Sequence, residues 1–178
     1  VLSYKAGKRA LSKGSYLVDH SASYINSSVN NALKALQTDY LDIFLLEEND
    51  PLFDVEETSS ALTELLLSGK IRYVGVSNLN ASQHRLLAAH LSHPIITNHI
   101  ELNVLNHSAI DDGRLDFIKE QYSKPLAWAP LAGGRILSGK DAKSIRIRKA
   151  LQPISKKYDA NIEQIAVAWL YRLGALPI

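Results

Sequence analysis

The sequence has no cysteine, which excludes disulfide bonds, thiolate metal sites and cysteine nucleophiles. It has no methionine either, at position 1 or elsewhere, which suggests a processed or truncated form of a longer chain. No apolar run approaches the ~18 residues of a membrane helix, and residues 1–20 lack the apolar block of a signal peptide. We therefore expect a cytoplasmic protein that does not bind membranes.

An excess of one charge is also missing. Lys and Arg number 20 against 18 Asp and Glu, a net charge of +2, which is too small to indicate nucleic-acid binding. Hydrophobic residues make up 46% of the 178 positions, which is enough for a folded core. The length predicts a single domain over residues 1–178.

Two periodicities alternate along the chain. Short apolar runs rich in β-branched or aromatic residues predict buried parallel strands, at 1–4, 40–46, 71–76, 94–98 and 125–129, with a sixth beginning at 175–178. Helical spacing of apolar residues predicts amphipathic helices that cover a sheet, at 21–36, 55–67, 81–90, 114–121, 142–158 and 162–173. Asp54 and Asn80 mark the starts of two of these helices.

This alternation is typical of two α/β architectures, an open doubly wound sheet and a (β/α)8 TIM barrel. The Gly-x-Gly-x-x-Gly fingerprint of the dinucleotide-binding open fold follows none of the predicted strands. The barrel is therefore favoured. A complete barrel has eight strands and typically about 250 residues, so this sequence supplies part of one.

In a barrel, functional groups lie at the carboxyl ends of the strands and in the loops that follow them. Polar or aromatic residues occupy these places here: Lys5, Glu47, Glu48, Asn49, Asp50, Ser77, Asn78, Asn98, His99, Glu101, Trp128 and the segment 130–134. We expect them to converge on one rim. Three histidines, His84, His90 and His93, have a spacing that permits metal binding but lack an accompanying carboxylate or cysteine, and they are predicted to be surface residues.

Four segments carry a family signature: SGKIRYVGVSN (68–78), LQTDYLDIFLL (36–46), TNHIELN (97–103) and AWAPLAGGRIL (127–137). Together they resemble the aldo-keto reductases, and the segment DGRLD (112–116) is similar to the bacterial oxidoreductase branch of that family. The resemblance extends from the family's third strand to the opening of its eighth. It implies a (β/α)8 barrel whose first two strands and C-terminal segment lie outside this sequence.

The resemblance implies an NADP(H)-dependent reductase. In that family a hydride passes from nicotinamide to a carbonyl carbon while a Tyr, whose pKa is lowered by a Lys paired with an Asp, donates a proton to the oxygen. A His polarises the carbonyl. Lys5 matches the catalytic Lys, whereas Glu47 occupies the His position, in Glu-Glu-Asn-Asp-Pro instead of His-Arg-Pro-Asp-Pro. The family's Asp and Tyr lie upstream and have no counterpart here.

The resemblance also assigns residues to the cofactor. Ser77 and Asn78 match the pair that hydrogen-bonds the nicotinamide carboxamide, His99 stands where Gln is usual, and Trp128 stands where an aromatic ring stacks on the nicotinamide. A small-residue loop matches the pyrophosphate-binding segment: Ala129, Pro130, Leu131, Gly133, Gly134 and Arg135. The residues that bind the 2′-phosphate come after the last strand, so the choice of NADP(H) over NAD(H) rests on the resemblance alone.

Each of these residues also has an ordinary structural interpretation. Lys5 could be a surface lysine, Ser77 and Asn78 a helix cap, Trp128 core packing and Glu47 a solvated acid. One family branch that reduces a conjugated carbon–carbon double bond also has Glu at this position. A carboxyl in an apolar pocket has a raised pKa and can donate a hydrogen bond, so we expect Glu47 to shift or weaken carbonyl reduction.

These observations predict an oxidoreductase that transfers hydride between NADP(H) and a small-molecule carbonyl or conjugated enone. Two alternatives stay open: a non-catalytic, nucleotide-binding member with a regulatory or scaffolding role, and a barrel enzyme that uses Lys5 in Schiff-base chemistry. The substrate and the oligomeric state are not determined by the sequence.

Overall fold

The computed structural model describes residues 1–12, 14–48, 50 and 52–178. Asn49 and Pro51, which belong to the predicted rim segment after the second strand, lie outside the described residues. The chain forms two compact units, Val1–Asn98 and His99–Ile178. None of the helices formed by the described residues combines the length and the apolar character that crossing a bilayer requires.

The first unit contains the predicted succession of strands and helices. Its elements are β1 (Ser3–Ala6), β2 (Lys8–Ser12), β3 (Ser15–Val18), α1 (Ala22–Leu36), β4 (Leu41–Glu47), α2 (Val55–Leu67), β5 (Ile71–Ser77), α3 (Ala81–His90) and β6 (Ile95–Glu101), whose last residues belong to the second unit. The strands β1, β4, β5 and β6 lie side by side in that order. β1 pairs with β4 and β4 with β5 in parallel register, with Ala6 opposite Leu46 and Glu47 opposite Ser77.

The core of this unit forms where apolar side chains of the strands face apolar side chains of the helices. Phe44 and Leu46 on β4 pack with Leu62 on α2 and with Ile25 and Val29 on α1, and all five side chains are fully buried. Burial of each such side chain contributes about 1.5–3 kcal/mol relative to exposure. The helices therefore hold the strands, and the residues at the strand ends, in fixed positions.

The predicted helix starts are confirmed. The Asp54 carboxylate accepts hydrogen bonds from the backbone N–H groups of Glu56 and Glu57, and the Asn80 side chain accepts one from Gln83. Both caps satisfy N–H groups that have no partner within the helix.

The hairpin of β2 and β3 was not predicted from the sequence. Its two strands pair antiparallel, with Lys8 opposite Val18 and Arg9 opposite Leu17. Most of its residues are exposed, so the segment lacks the alternation of apolar and polar residues that predicts a strand. The hairpin brings Lys8 to the end of β4, as described below.

The second unit continues the pattern. Its elements are α4 (Ser108–Asp111), α5 (Arg114–Glu120), β7 (Lys124–Trp128), a 3₁₀ turn (Ala132–Gly134), α6 (Arg135–Ser138), α7 (Ala142–Lys157), α8 (Ile162–Arg172) and β8 (Leu176–Pro177). β7 and β8 pair in parallel, with Leu126 opposite Leu176. Ile118, Ala127 and Leu170 are fully buried in its core. The prediction of one domain over residues 1–178 stays a prediction.

His84 is a correction to the sequence analysis, because it is buried and not a surface residue. Its side chain lies in α3 and is only 1% exposed, whereas His90 and His93 are exposed. Burial, reinforced by the charge of Arg85, lowers the pKa of His84 from 6.5 to about 4. Within the described part of the chain, no three His, Asp or Glu side chains are grouped so that they could hold a metal ion.

Gly7 allows the chain after β1 to pass directly against the end of β4. Its φ is +144°, and a Cβ atom at this position would lie 2.3 Å from the carbonyl oxygen of Glu47. The Gly7 carbonyl also accepts a hydrogen bond from the Asp19 N–H at 2.9 Å. A side chain at position 7 would therefore displace the backbone of Glu47.

Replacement of Gly7 tests this close approach. We expect Gly7→Ala to lower the free energy of unfolding by about 3 kcal/mol, because the new methyl group collides with backbone and the φ value is unfavourable. Gly14→Ala is the matched control, since Gly14 has a φ of +78° but open space around its Cβ position. It should cost only about 1 kcal/mol. Equal losses for the two variants in urea unfolding would contradict the close approach.

The lowered pKa of His84 predicts an acid-dependent loss of stability. Between pH 7 and pH 5 the unfolded histidine takes up a proton while the folded one stays neutral, so stability falls by about 2 kcal/mol as pH falls. The variant His84→Gln should lack this part of the pH dependence in urea unfolding. His93→Gln, at an exposed histidine, should retain it. The same pH dependence in the wild type and His84→Gln would show that this assignment is wrong.

Candidate functional site

Three candidate residues of the first unit lie at the carboxyl ends of adjacent strands. Lys5 is in β1, one residue before its end, Glu47 ends β4 and Ser77 ends β5. The parallel register places Lys5 opposite Leu45 and Glu47 opposite Ser77. The strand pairing therefore brings these three predicted residues to the same edge of the sheet.

Glu47 is the centre of an ion-pair cluster. Its Oε1 lies 2.9 Å from Lys5 Nζ and 3.5 Å from Lys8 Nζ, and its side chain is 14% exposed. Lys8 Nζ is also 2.5 Å from Glu48 Oε2 and 4.9 Å from the centre of the Tyr16 ring. The expectation of an apolar pocket around Glu47 is therefore wrong, because two ammonium groups contact its carboxylate.

Lys8 remains a cation in this cluster. Its burial acts to lower the pKa, but the hydrogen bond to Glu48 and the charges of Glu47 and Glu48 outweigh burial, and the net effect is a raised pKa. Its backbone is held as well, since the Tyr24 hydroxyl donates to the Lys8 carbonyl at 2.7 Å.

The backbone of Glu47 is fixed by neighbouring elements. His20, which is buried, lies with Nε2 3.0 Å from the Glu47 carbonyl, so that this nitrogen is the donor. The His20 carbonyl in turn accepts a hydrogen bond from the Thr58 hydroxyl at 2.9 Å. The next residue, Glu48, donates its N–H to the Ser77 carbonyl at 2.8 Å. Lys8 and His20 were not identified from the sequence, because neither belongs to a family motif.

Ser77 is fully buried, and its hydroxyl has no hydrogen-bond partner among the described residues. A buried polar group without a partner is costly and calls for an explanation such as a ligand. The helix that follows is capped by Asn80. The interpretation of Ser77 and Asn78 as the cap of that helix is therefore wrong.

Left-handed backbone conformations occur just after three strand ends. Four non-glycine residues with positive φ lie there: Glu48 (75°), Asn78 (61°), Ala129 (51°) and Ala132 (53°). For an L-residue this conformation costs about 1–2 kcal/mol, and such strain is typical of functional sites. The other described non-glycine residues with positive φ lie at or next to helix ends, where this conformation is usual: Gln37, Tyr122 and Asp159.

The second unit carries the predicted aromatic residue and the predicted loop. Trp128 ends β7 and is partly exposed, so it is not a fully buried core residue, and His99 is buried in β6. The Asn103 side chain donates to the Ala129 carbonyl at 3.0 Å and thereby anchors the start of the loop. The sequence motif contained Asn103, but its role was not predicted.

The loop after β7 is a tight, exposed turn. Gly133 and Gly134 have φ values of 61° and 83°, and both are exposed together with Arg135. Pro130 and Leu131 precede them and are partly exposed. The N–H groups of Ala132 and Gly134 donate to the carbonyls of Ala129 and Leu131, and these bonds hold the turn while the space above the two glycines stays open.

Each unit, taken by itself, has features that fit one part of a nicotinamide dinucleotide. In the first unit the unpartnered, buried Ser77 hydroxyl suits an amide. In the second unit the partly exposed Trp128 indole suits a planar ring, and the exposed glycines of the loop leave space for a phosphate.

The chain is similar in sequence to known oxidoreductases. The model of the Aldo/keto reductase family matches residues 2–178. The chain is 38% identical over 161 residues to the uncharacterized oxidoreductase YcsN of Bacillus subtilis, covering 89% of this chain and 54% of YcsN. It is also 38% identical over 154 residues to a 6-dehydroglucose reductase of Agrobacterium fabrum, covering 86% of this chain and 51% of that enzyme.

Among solved structures, the thermostable aldo-keto reductase Tm1743 is 31% identical, with a TM-score of 0.78. The alignment covers 88% of this chain and 56% of Tm1743. This likeness confirms the predicted fold class, the (β/α)8 barrel, and the chain spans about half the length of the curated relatives it matches. On this evidence the chain belongs to the aldo/keto reductase family.

Proposed function

We propose that the protein is an NADP(H)-dependent oxidoreductase that transfers hydride between nicotinamide and a small carbonyl compound. The observation that carries this proposal is the unpartnered, fully buried Ser77 hydroxyl at the end of β5. It lies within the eleven-residue family motif, at the position that binds the nicotinamide carboxamide. Named reductases among the relatives favour this catalytic function over a regulatory or scaffolding role.

The cofactor residues divide by chemistry. Ser77 and Asn78 hydrogen-bond the carboxamide, and Trp128 presents a flat surface to the nicotinamide ring. His99 is the remaining polar residue assigned to the cofactor. The loop from Ala129 to Arg135 binds the pyrophosphate, and the open space at Gly133 and Gly134 permits its close approach. When bound, the cofactor supplies the hydride. The preference for NADP(H) over NAD(H) is part of the proposal.

Lys5 and Glu47 form the catalytic part of the proposed site in this chain. The Lys5 ammonium stabilises negative charge that develops on the substrate oxygen or on the group that protonates it. Glu47 holds Lys5 through the 2.9 Å ion pair and thereby fixes its orientation. The ammonium groups of Lys5 and Lys8 contact the Glu47 carboxylate, so its surroundings are not the apolar pocket expected for reduction of a conjugated double bond.

Cofactor binding tests this proposal through Ser77. We expect the protein, in its full natural length, to bind NADPH and to oxidise it when a small aldehyde is added. The variant Ser77→Ala should raise the Kd for NADPH about fivefold in calorimetric titration, since one hydrogen bond contributes roughly 1 kcal/mol.

Ser60→Ala is the matched control, because Ser60 is an exposed serine in α2. Its Kd should equal that of the wild type. An unchanged Kd in Ser77→Ala, or no NADPH binding by the wild type, would refute the assignment of Ser77 to the cofactor.

A further inference from the structure

The loop at residues 129–135, called the cofactor loop below, is tied at its end to helix α7 by the Arg148 side chain. Arg148 Nη2 donates to the Gly139 carbonyl at 2.7 Å. Its Nη1 donates to the carbonyls of Arg135 and Ile136 at 3.4 and 3.3 Å. The last carbonyls of a helix have no partner within it, and arginine side chains can bind them. The rigid, planar guanidinium suits this bridging role, because its N–H groups point to several acceptors at once.

A second contact holds the Arg135 side chain. The Asp141 carboxylate, at the N-cap of α7, accepts hydrogen bonds from the Ser144 hydroxyl at 2.6 Å, from the Ser144 N–H at 3.0 Å and from Arg135 Nη2 at 3.2 Å. The hydrogen bonds from Ser144, together with that from Arg135, hold the pKa of Asp141 well below its usual range. Arg135 is therefore linked to α7 through both its carbonyl and its guanidinium.

The turn between α6 and α7 is closely packed around these contacts. A Cβ atom at Gly139 would lie 2.4 Å from Ser144 Oγ and 2.6 Å from the Arg135 carbonyl oxygen. Ser144 is fully buried, and the Gly139 N–H donates to the Arg135 carbonyl at 2.9 Å. Arg148 is partly buried here, whereas Arg146 on the same helix is exposed. The Arg148 side chain thus has a defined place, unlike an ordinary surface arginine.

The cofactor loop is therefore anchored at both ends. Asn103 donates to the Ala129 carbonyl at its start, and Arg148 donates to the Arg135 carbonyl at its end. Between these anchors, the space around Gly133 and Gly134 is open. A loop that is already held in place loses less conformational freedom when a ligand binds, so the ligand binds more tightly.

We propose that Arg148 is a positioning residue for the cofactor. It holds the end of the cofactor loop in the conformation that binds pyrophosphate, and it acts through the carbonyls of Arg135, Ile136 and Gly139. Arg148 lies outside the four segments that carry the family signature. The inference rests on the proposed function, because it takes the cofactor loop as the pyrophosphate site.

Calorimetric titration with NADPH tests this role in the protein at its full natural length. We expect Arg148→Met to raise the Kd about tenfold, because the apparent Kd rises as the fraction of molecules with a correctly held loop falls. Misfolded molecules lower the binding stoichiometry and leave the Kd unchanged, so the Kd reports positioning. Arg148→Lys keeps the charge but not the planar fork, and its Kd should be about threefold above that of the wild type.

A second ligand shows which part of the cofactor is affected. The compound 2′-phospho-ADP-ribose keeps the pyrophosphate of NADPH and lacks the nicotinamide. Arg148→Met should raise its Kd by the same factor as the Kd for NADPH. Ser77→Ala should leave its Kd unchanged, because Ser77 is assigned to the nicotinamide carboxamide.

Hydrogen exchange reports the loop in the absence of any ligand. The N–H groups of Gly134 and Gly139 donate to the carbonyls of Leu131 and Arg135. In Arg148→Met both should exchange about tenfold faster than in the wild type, while N–H groups in the middle of α8 keep their rates. Arg146→Met is the matched control, since it removes one positive charge from an exposed position of α7. It should leave both Kd values and the exchange rates unchanged.

The outcomes distinguish this inference from the proposed function. A Kd for NADPH in Arg148→Met equal to that of the wild type overturns the inference while the proposed function stands. A wild-type Kd in Arg148→Lys, or an equal rise in Arg146→Met, assigns the effect to charge alone and also overturns it. If Arg148→Met does not fold, Arg148→Lys decides by its Kd and by the exchange at Gly139. No binding of NADPH by the wild type overturns the proposed function and the inference with it.

Discussion

The ion pair between Lys5 and Glu47 joins the carboxyl ends of two neighbouring parallel strands, and the proposed chemistry depends on it. In this pair Lys5, which matches the family's catalytic lysine, lies 2.9 Å from the Glu47 carboxylate. Lys8, supplied by the hairpin after β1, adds a second cation at 3.5 Å. The surroundings of Glu47 and the orientation of Lys5 both follow from this one cluster.

Much of the fold was predictable because it depends on local patterns. The strand β4 was expected at 40–46 and found at Leu41–Glu47, and the helices α2 and α3 have the predicted bounds. Apolar periodicity and capping residues such as Asp54 carry this information. The exposed hairpin of β2 and β3 was missed because strands without a buried face leave no alternation in the sequence.

The candidate site was predictable only in part. The family motif and the strand ends identified Lys5, Glu47 and Ser77, which strand register then places at one edge. The surroundings of Glu47 were predicted wrongly as apolar, because its contacts come from Lys8 and Lys5, 39 and 42 positions away. The pairing of β1 with β4 brings Lys5 to it, and the hairpin of β2 and β3 brings Lys8. His20 was missed for the same reason, and His84 was assigned to the surface because burial of one helix face depends on tertiary packing.

A double-mutant cycle on Lys5 and Glu47 tests the central claim most directly. The free energies of unfolding of the wild type, Lys5→Met, Glu47→Gln and the double variant, measured in urea, give the coupling energy of the pair. Lys5 is 39% exposed, so solvent screens the interaction, and we predict a favourable coupling of about 1 kcal/mol. A coupling of zero within about 0.3 kcal/mol would contradict the account.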